Sequence, residues 1–377
     1  MISIFKKQNG MSISSGKGRR RVATAAFVVL LLSVAAVVGV FAMPASTAAI
    51  RDTDGAVATN SITSIESVEL NGAQQWLVIR GRDRTNPVLL YVHGGPGTPE
   101  TAPLIHYDRA LEDDFVVVSW EQRGAGKSYP AGLANPAAVN TAQLVDDLHA
   151  LTGYLKTRFG QDRLYLVAHS YGTLIAIRAA QRYPSDYYAL VSSEQTSNSA
   201  REEALMHNWV LERAREESNE DAVRELTALS PLENGTLPLA DRRVRMKWAE
   251  HYRGGVMHAS DATQQLTRVV LESSEYTAWE KLNYLRGEEL TLAHLFPDNN
   301  NVHTDLFAEI PTLDVPIYFV QGRYDHLVPI QVSRAYYESL QAPYKKYVVF
   351  ENSAHSPIFE EPERFHELMR EVLVDTR

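Results

Sequence analysis

The chain has 377 residues, a length that fits one large core with an insertion or two domains. Its 45% hydrophobic and 22% charged residues exclude a fibrous or disordered protein, and the absence of cysteine excludes disulfides, thiolate nucleophiles, iron–sulfur clusters and cysteine-ligated zinc. The net charge is −9 although residues 1–21 hold six bases and no acid. The remaining body is therefore strongly acidic, which argues against nucleic acid as a partner.

An uncharged apolar segment, residues 22–43, follows directly on the basic head, residues 1–21. About 22 residues span a hydrocarbon core of roughly 30 Å as a helix, whereas the apolar part of a secretory signal usually has about 7–15. The basic flank predicts that the head stays in the cytoplasm and that the rest of the chain lies outside it. Small residues at Ala42 and at 46–48 leave a cleaved signal open beside a membrane anchor.

Strands and helices alternate after a polar linker, residues 44–65. Two strand-like stretches joined by Asn71 and Gly72 predict a β-hairpin. Amphipathic stretches such as 141–159 and 173–183 predict helices. Apolar runs, typical of strands buried on both faces of a parallel sheet, begin at Pro87, Phe115, Leu164, Tyr188, Pro316 and Tyr347. The predicted fold class is α/β, with a mostly parallel, doubly wound sheet.

The alternation stops between residues 195 and 312, where helical spacing occurs without any strand-like run. This stretch predicts a helical cap inserted into a catalytic domain formed by residues 66–194 and 313–377. The cap would cover the carboxyl ends of the strands, where open α/β sheets bind their ligands.

A glycine-rich loop, His93-Gly94-Gly95-Pro96-Gly97, follows the first apolar strand of the predicted sheet. Glycines allow backbone N–H groups to approach a substrate closely, as an oxyanion hole requires. We expect the amide of Gly95, with Gly94 as the alternative, to act together with the amide of Tyr171.

The next strand is followed by residues 124–128, GAGKS, which imitate the end of a phosphate-binding P-loop. Glu121 stands where that motif requires its first glycine, and Pro130 interrupts the helix that would bind the phosphates. These departures argue against nucleotide binding.

Residues 168–172, AHSYG, lie where an apolar strand turns into a helix. A serine on such a turn has its hydroxyl above the sheet, and small residues two positions away on either side let strand and helix approach closely. Ser170 is therefore the candidate nucleophile, although Ala168 occupies the position of the usual first glycine. A helix-capping serine is the alternative.

A nucleophilic serine needs a base and an acid, which in this architecture follow in the order serine, acid, histidine after later strands. Asp325 and His355 follow the last two predicted strands in that order. We expect Asp325 to orient His355, and His355 to accept the proton of Ser170. His326 and His303 are rival bases.

Together these motifs resemble the prolyl iminopeptidase-like branch of the α/β-hydrolase superfamily. The resemblance rests on HGGPG at 93–97, EQRGAGKS at 121–128, Ser170, GRYD at 322–325, and SAH at 353–355 ahead of a Glu-Pro pair at 361–362. It covers the chain from about Glu66 to the C-terminus, apart from the cap. Glu121 replaces the branch's usual aspartate, which changes little if this residue supports the loop.

The resemblance implies an α/β-hydrolase that transfers acyl groups to water and needs no metal or organic cofactor. It also implies carboxylates that bind the free amino terminus of a short peptide, for which the candidates are Glu194, Glu202, Glu203 and Glu275. Solvated surface carboxylates are the alternative for each. An exported aminopeptidase, a small-molecule esterase, lactonase or amidase, and a membrane-tethered binding protein without activity all remain open, as does the oligomeric state.

Overall fold

The computed structural model describes residues 21, 24–30, 39, 41–229, 238–259, 262–295 and 304–376. The chain forms two compact units, Met1–Pro44 and Ala45–Arg377. In the first unit residues 24–30 are helical, while most of the basic head and residues 31–38 of the apolar segment lie outside the described residues. Within the described part of the chain, no helix combines the length and apolarity needed to cross a membrane.

The second unit is built on one eight-stranded sheet with the strand order β1-β2-β4-β3-β5-β6-β7-β8. The strands are β1 Ile62–Leu70, β2 Ala73–Gly81, β3 Val88–Val92, β4 Val116–Glu121, β5 Leu164–His169, β6 Tyr187–Ser193, β7 Ile317–Gly322 and β8 Lys345–Phe350. Strand β2 is antiparallel to β1 and β4, and all other neighbours are parallel. The mostly parallel sheet is as predicted.

Fourteen α-helices lie within the described part of the second unit. They are α1 Thr101–Tyr107, α2 Leu111–Asp114, α3 Tyr129–Ala134, α4 Thr141–Phe159, α5 Tyr171–Arg182, α6 Ser199–Glu216, α7 Glu220–Thr227, α8 Leu239–His251, α9 Ala262–Glu272, α10 Ala278–Leu295, α11 Leu306–Glu309, α12 Ile330–Ser339, α13 Pro357–Glu360 and α14 Pro362–Asp375. Short 3₁₀ turns occur at Gly126–Ser128, Pro136–Ala138 and Pro184–Asp186.

Local sequence signals explain several element boundaries. Asn71 and Gly72 both have positive φ, as a two-residue hairpin turn requires, and they join β1 to β2 as expected. Helix α4 begins after Asn140, whose side chain accepts a hydrogen bond from the backbone N–H of Gln143, and it ends at Gly160 in the left-handed conformation.

Helices cover both faces of the sheet, which gives it two hydrophobic cores. Successive strand residues point to opposite faces, so Leu90 of β3 joins α4 and α5 in one core while Leu89 joins α1 and α14 in the other. The central strands β3 to β7 are almost wholly buried between these layers. This is the doubly wound arrangement that the continuous apolar runs predict.

The stretch between β6 and β7 contains α6 to α11 and, among its described residues, no strand. Helix α10 lies directly on the loops that follow β3 and β4. A Cβ at Gly287 would meet the carbonyl oxygens of Gly97 and Gly124 within 3.0 Å, so only glycine permits this approach. The ion pair of Lys127 with Glu280, at 2.7 Å, fixes the same contact.

Residues 45–61, which the sequence assigns to the linker, are in contact with the sheet. The buried Arg80 of β2 donates hydrogen bonds to the hydroxyl of Thr47 at 2.5 Å and to the carbonyl of Ala48 at 2.7 Å. Strand β1 begins at Ile62, inside the stretch 44–65.

A buried ion pair connects the loop after β4 to helix α4, next to the β1–β2 hairpin. Arg123 donates two hydrogen bonds to Asp147 of α4, at 2.9 and 3.0 Å, and both side chains are almost fully buried. Asn71 and Gln75 donate to the same carboxylate, at 2.8 and 2.7 Å. Removal of the guanidinium would leave a buried charge without its main partner.

We predict that Arg123→Ala lowers the free energy of unfolding by about 3–5 kcal/mol, as expected when one partner of a buried pair is removed. Arg182→Ala is the matched control, because Arg182 pairs with Asp146 at 3.0 Å with both side chains about half exposed. That exposed pair should contribute no more than about 1 kcal/mol. Urea unfolding of the two variants measures the difference in the free energy of unfolding. Equal losses would contradict the assignment of Arg123 and Asp147 as a stabilising buried pair.

Candidate active site

Three strand ends bring the predicted catalytic residues together at one edge of the sheet. Ser170 follows β5, Asp325 lies three residues after β7, and His355 lies five residues after β8. Because β5 to β8 are parallel neighbours, their carboxyl ends meet at the same edge.

Ser170 lies on a strained turn between β5 and α5. Its φ of 51° and ψ of −123° are uncommon for a residue with a side chain. The turn is held by a hydrogen bond from its N–H to the carbonyl of Ser193, at 2.9 Å. A Cβ at Gly172 would collide with the carbonyl oxygens of Val92 and His93, so the second glycine of the motif is required.

A continuous hydrogen-bond chain joins the three side chains. The Oγ of Ser170 lies 2.8 Å from Nε2 of His355, and Nδ1 of His355 lies 2.8 Å from Oδ2 of Asp325. The other carboxylate oxygen of Asp325 accepts the backbone N–H groups of Leu327 and Val328, at 2.7 and 3.0 Å. The carboxylate is thereby fixed in the orientation that favours a proton on Nδ1 and a free lone pair on Nε2.

A second buried carboxyl group, that of Glu194, lies behind Asp325 at the end of β6. It accepts the N–H of Gly322 at 2.6 Å and a hydrogen bond from Gln321. Burial and the nearby Asp325 raise the pKa of Glu194 well above its usual range, which favours its neutral form. Burial alone would raise the pKa of Asp325, but His355 outweighs it and lowers that pKa.

Glu194, Asp325 and His355 also have the spacing of a metal site, since one ligand atom from each lies within 4.8 Å of the others. In His355, Nδ1 is engaged with Asp325 and Nε2 with Ser170. This arrangement directs the imidazole toward the serine.

The structure places the rival base His326 away from Ser170. Its ring stacks on Trp209 of α6 with centroids 3.6 Å apart, and its backbone N–H donates to the carbonyl of Gly254 at 3.1 Å. Burial lowers the pKa of His326 to about 4, which makes it a poor base near neutral pH. His303 lies outside the described residues.

The glycine-rich loop lies against the serine turn, and its contacts separate the two oxyanion candidates. A Cβ on Gly94 would lie 3.0 Å from the Cβ of Ser170. The amide of Gly94 donates to Oε2 of Glu100 at 3.1 Å and is therefore engaged. Gly95, whose φ of 108° is open to glycine alone, stays the candidate loop donor. Tyr171 begins α5, where N–H groups have no intrahelical acceptor.

Two candidate carboxylates on α6 are buried and engaged. Oε1 of Glu202 accepts the backbone N–H groups of Ser197 and Asn198, at 2.6 and 3.1 Å. Burial raises the pKa of Glu202 to about 7 even though these hydrogen bonds oppose it. Glu203 forms an ion pair with Arg242, and a nitrogen of the buried Arg245 lies 3.8 Å from it.

The remaining two candidates lie in different places. Glu194 directly follows β6 and lies at the carboxyl end of the sheet, not in the cap helices. Glu275 lies in the turn between α9 and α10 and accepts a hydrogen bond from Ser273 at 2.7 Å. The four carboxylates therefore do not form one cluster around Ser170.

Glu121 joins the loop after β4 to the cap. It is buried, accepts the amide of Lys127 at 2.9 Å and the hydroxyl of Thr101 at 2.8 Å, and also receives a hydrogen bond from Tyr276. Glu121, which stands where a P-loop would have glycine, therefore stabilises the loop after β4.

Sequence reasoning missed one pair of residues beside the nucleophile, Glu100 and His169. Nδ1 of His169 lies 2.6 Å from Oε1 of Glu100, and Nε2 lies 2.6 Å from the backbone carbonyl of His355. The sequence does place a histidine directly before Ser170. It does not identify Glu100 as the partner of that histidine, because the two residues are 69 positions apart.

Comparison with known proteins agrees with this geometry. Residues 87–362 match the family model of the alpha/beta hydrolase fold. The chain belongs to the α/β-hydrolase family. It is 31% identical over 307 residues to the probable aminopeptidase YbaC of Bacillus subtilis, an alignment that covers 81% of this chain and 94% of that protein.

The hydrolase is also similar to two proline iminopeptidases. It is 22% identical to a proline iminopeptidase of Saccharolobus solfataricus, over 78% of this chain and 86% of the relative. The crystal structure of the proline iminopeptidase of Mycobacterium smegmatis superposes with a TM-score of 0.59 at 18% identity, over 83% of this chain and 98% of that one, which shows a shared fold. The predicted fold family is therefore confirmed, and the chain is a hydrolase.

Proposed function

We propose that the hydrolase transfers acyl groups to water with Ser170 as nucleophile, His355 as base and Asp325 as orienting acid. The observation that carries this proposal is the hydrogen-bond chain from Ser170 Oγ through both ring nitrogens of His355 to Asp325. Nucleophile, base and acid within hydrogen-bond reach of one another are the arrangement that activates a serine.

The geometry supports a two-step reaction. His355 accepts the proton of Ser170 as the serine attacks an ester or amide carbonyl, and Asp325 stabilises the imidazolium that forms. The amides of Gly95 and Tyr171 would donate to the oxyanion. His355 then protonates the leaving group, and a water molecule repeats the attack on the acyl-enzyme.

We predict that Ser170→Ala and His355→Ala each reduce kcat by several orders of magnitude, because nucleophile and base act as a unit. Asp325→Asn should be severely impaired as well, since an amide at this position favours the wrong tautomer of His355. His326→Asn is the matched control on the same loop and should keep most of the activity. Ester and anilide hydrolysis measures all four variants, and substantial turnover by Ser170→Ala would refute the mechanism.

For the substrate, we propose a short peptide with a free amino terminus, cleaved by a prolyl iminopeptidase-like aminopeptidase activity. The names of the relatives in B. subtilis and S. solfataricus support this class. The contacts of Glu202 and Glu203 favour a second candidate, a small-molecule esterase, lactonase or amidase. Backbone amides engage Oε1 of Glu202 and Arg242 engages Oε1 of Glu203, so each carboxylate has only its second oxygen left for an ammonium group.

Blocking the substrate amine distinguishes the two candidates. If a buried carboxylate binds the ammonium group, we predict that N-acetylation of an aminoacyl anilide lowers kcat/KM by at least about 100-fold, because a buried charge loses its partner. Glu202→Gln and Glu203→Gln should then cause similar losses for the free amine, while the exposed Glu216→Gln on the same helix should not. Equal kcat/KM for the free and acetylated anilides, with good turnover of a short neutral ester, would favour the esterase.

We also propose that the catalytic unit acts outside the cytoplasm, either anchored by residues 22–43 or released after cleavage near Ala49. This proposal rests on the uncharged apolar segment and its basic flank. Protease added to spheroplasts should digest the catalytic unit and spare the first 20 residues or so. A catalytic unit protected in intact spheroplasts would contradict the proposed orientation.

A further inference from the structure

We infer that Glu100 and His169 form a positioning pair that fixes the oxyanion loop and the loop of the catalytic base relative to Ser170. The inference rests on the proposed function and adds two residues to it. Neither side chain is part of the hydrogen-bond chain of Ser170, His355 and Asp325. Both act through the backbone groups that they bind.

The pair connects three segments of the active site. Oε2 of Glu100 accepts the amide of Gly94, the residue directly before the proposed oxyanion donor, at 3.1 Å. Oε1 of the same carboxylate contacts His169, the residue directly before the nucleophile. The other ring nitrogen of His169 contacts the backbone carbonyl of His355. A displacement of either side chain would therefore change the distance between Ser170, its base and the oxyanion loop.

The hydrogen bonds define the charge of the pair. Both ring nitrogens of His169 face oxygen atoms, so we assign a proton to each nitrogen and treat the ring as an imidazolium. Glu100 accepts from His169, from the amide of Gly94 and from the hydroxyl of Tyr91 at 2.9 Å, which is the pattern of an ionised carboxylate. The result is an ion pair in which His169 is buried, Glu100 is partly buried and each charge faces its partner.

The direction of both pKa shifts agrees with this assignment. Burial would lower the pKa of His169, but the charge and hydrogen bond of Glu100 outweigh burial and raise it above the usual value. Burial would raise the pKa of Glu100, but His169 outweighs it and lowers that pKa. The other titratable groups around the pair are His93, Tyr91, Tyr284, His355 and Asp325.

A pH dependence of catalysis follows from the geometry. As the pH rises, His169 loses one proton, and one of its two hydrogen bonds, to Glu100 or to the carbonyl of His355, can no longer form. The positioning contact is therefore complete below the raised pKa of His169 and is lost as the pH passes above it. Because the pair acts on the positions of the reacting groups, the loss should lower kcat and leave KM nearly unchanged.

The test compares Glu100→Gln with a matched control elsewhere in the protein. The control is Asp114→Asn, because Asp114 pairs with His366 at 2.7 Å in another histidine–carboxylate contact. Profiles of kcat and KM for a p-nitrophenyl ester between pH 5 and 10 are measured for both variants and for the wild type. Glu100→Gln should lower kcat at least tenfold with little change in KM, and should move the alkaline decline of kcat to lower pH. Asp114→Asn should leave the profile unchanged.

A spectroscopic measurement separates this inference from the proposed function. Proton–nitrogen NMR of histidine rings is recorded on Ser170→Ala, where turnover plays no part. A ring with both nitrogens protonated should be present at neutral pH and should disappear in the Ser170→Ala protein that also carries His169→Gln. A neutral ring at position 169 would overturn the inference whether or not Ser170 is the nucleophile.

A second variant keeps the kinetic test decisive if Glu100→Gln does not fold. His169→Gln retains an amide that can donate only one of the two hydrogen bonds, so it should also lower kcat at least tenfold. It should also abolish the part of the alkaline decline of kcat that comes from deprotonation of His169. A folded His169→Gln or Glu100→Gln protein with the wild-type kcat and pH profile would show that the pair is structural only.

Discussion

The hydrogen bond between Ser170 and His355 places the strongest constraint on this fold. Its two partners are 185 residues apart in sequence, yet their side chains must meet within 2.8 Å. The parallel sheet meets this requirement, because the ends of β5 and β8 lie at one edge with β6 and β7 between them. The strained backbone of Ser170 has a cost of order 1–3 kcal/mol, which the surrounding strand and helix must offset.

The loops that complete the site are each supported by buried polar contacts. Glu121 holds the loop after β4, and Arg123 fastens the same loop to α4. Glu100 and His169 connect the glycine-rich loop to the two loops that carry the nucleophile and the base. Buried charges of this kind are costly unless fully paired, so they fix one arrangement of the loops rather than several.

Most of the sheet and the central residues of the site could be predicted from local patterns. The apolar runs identified the strands, and the order of Ser170, Asp325 and His355 identified their places at strand ends. The choice between Gly94 and Gly95 could not be made in the same way, because it depends on a contact with Glu100 six residues away. The partners of Glu202 and Glu203 likewise depend on how the cap helices pack, which helical spacing does not specify.

A labelling experiment tests whether Ser170 forms the covalent intermediate. A fluorophosphonate reacts with an activated serine, and trypsin would release Ser170 in the peptide of residues 164–178, which contains no other serine. We expect mass spectrometry to find the phosphonyl group on this peptide, and His355→Ala to slow its formation by orders of magnitude. Loss of activity with the label on a different peptide, or with peptide 164–178 unmodified, would contradict the account.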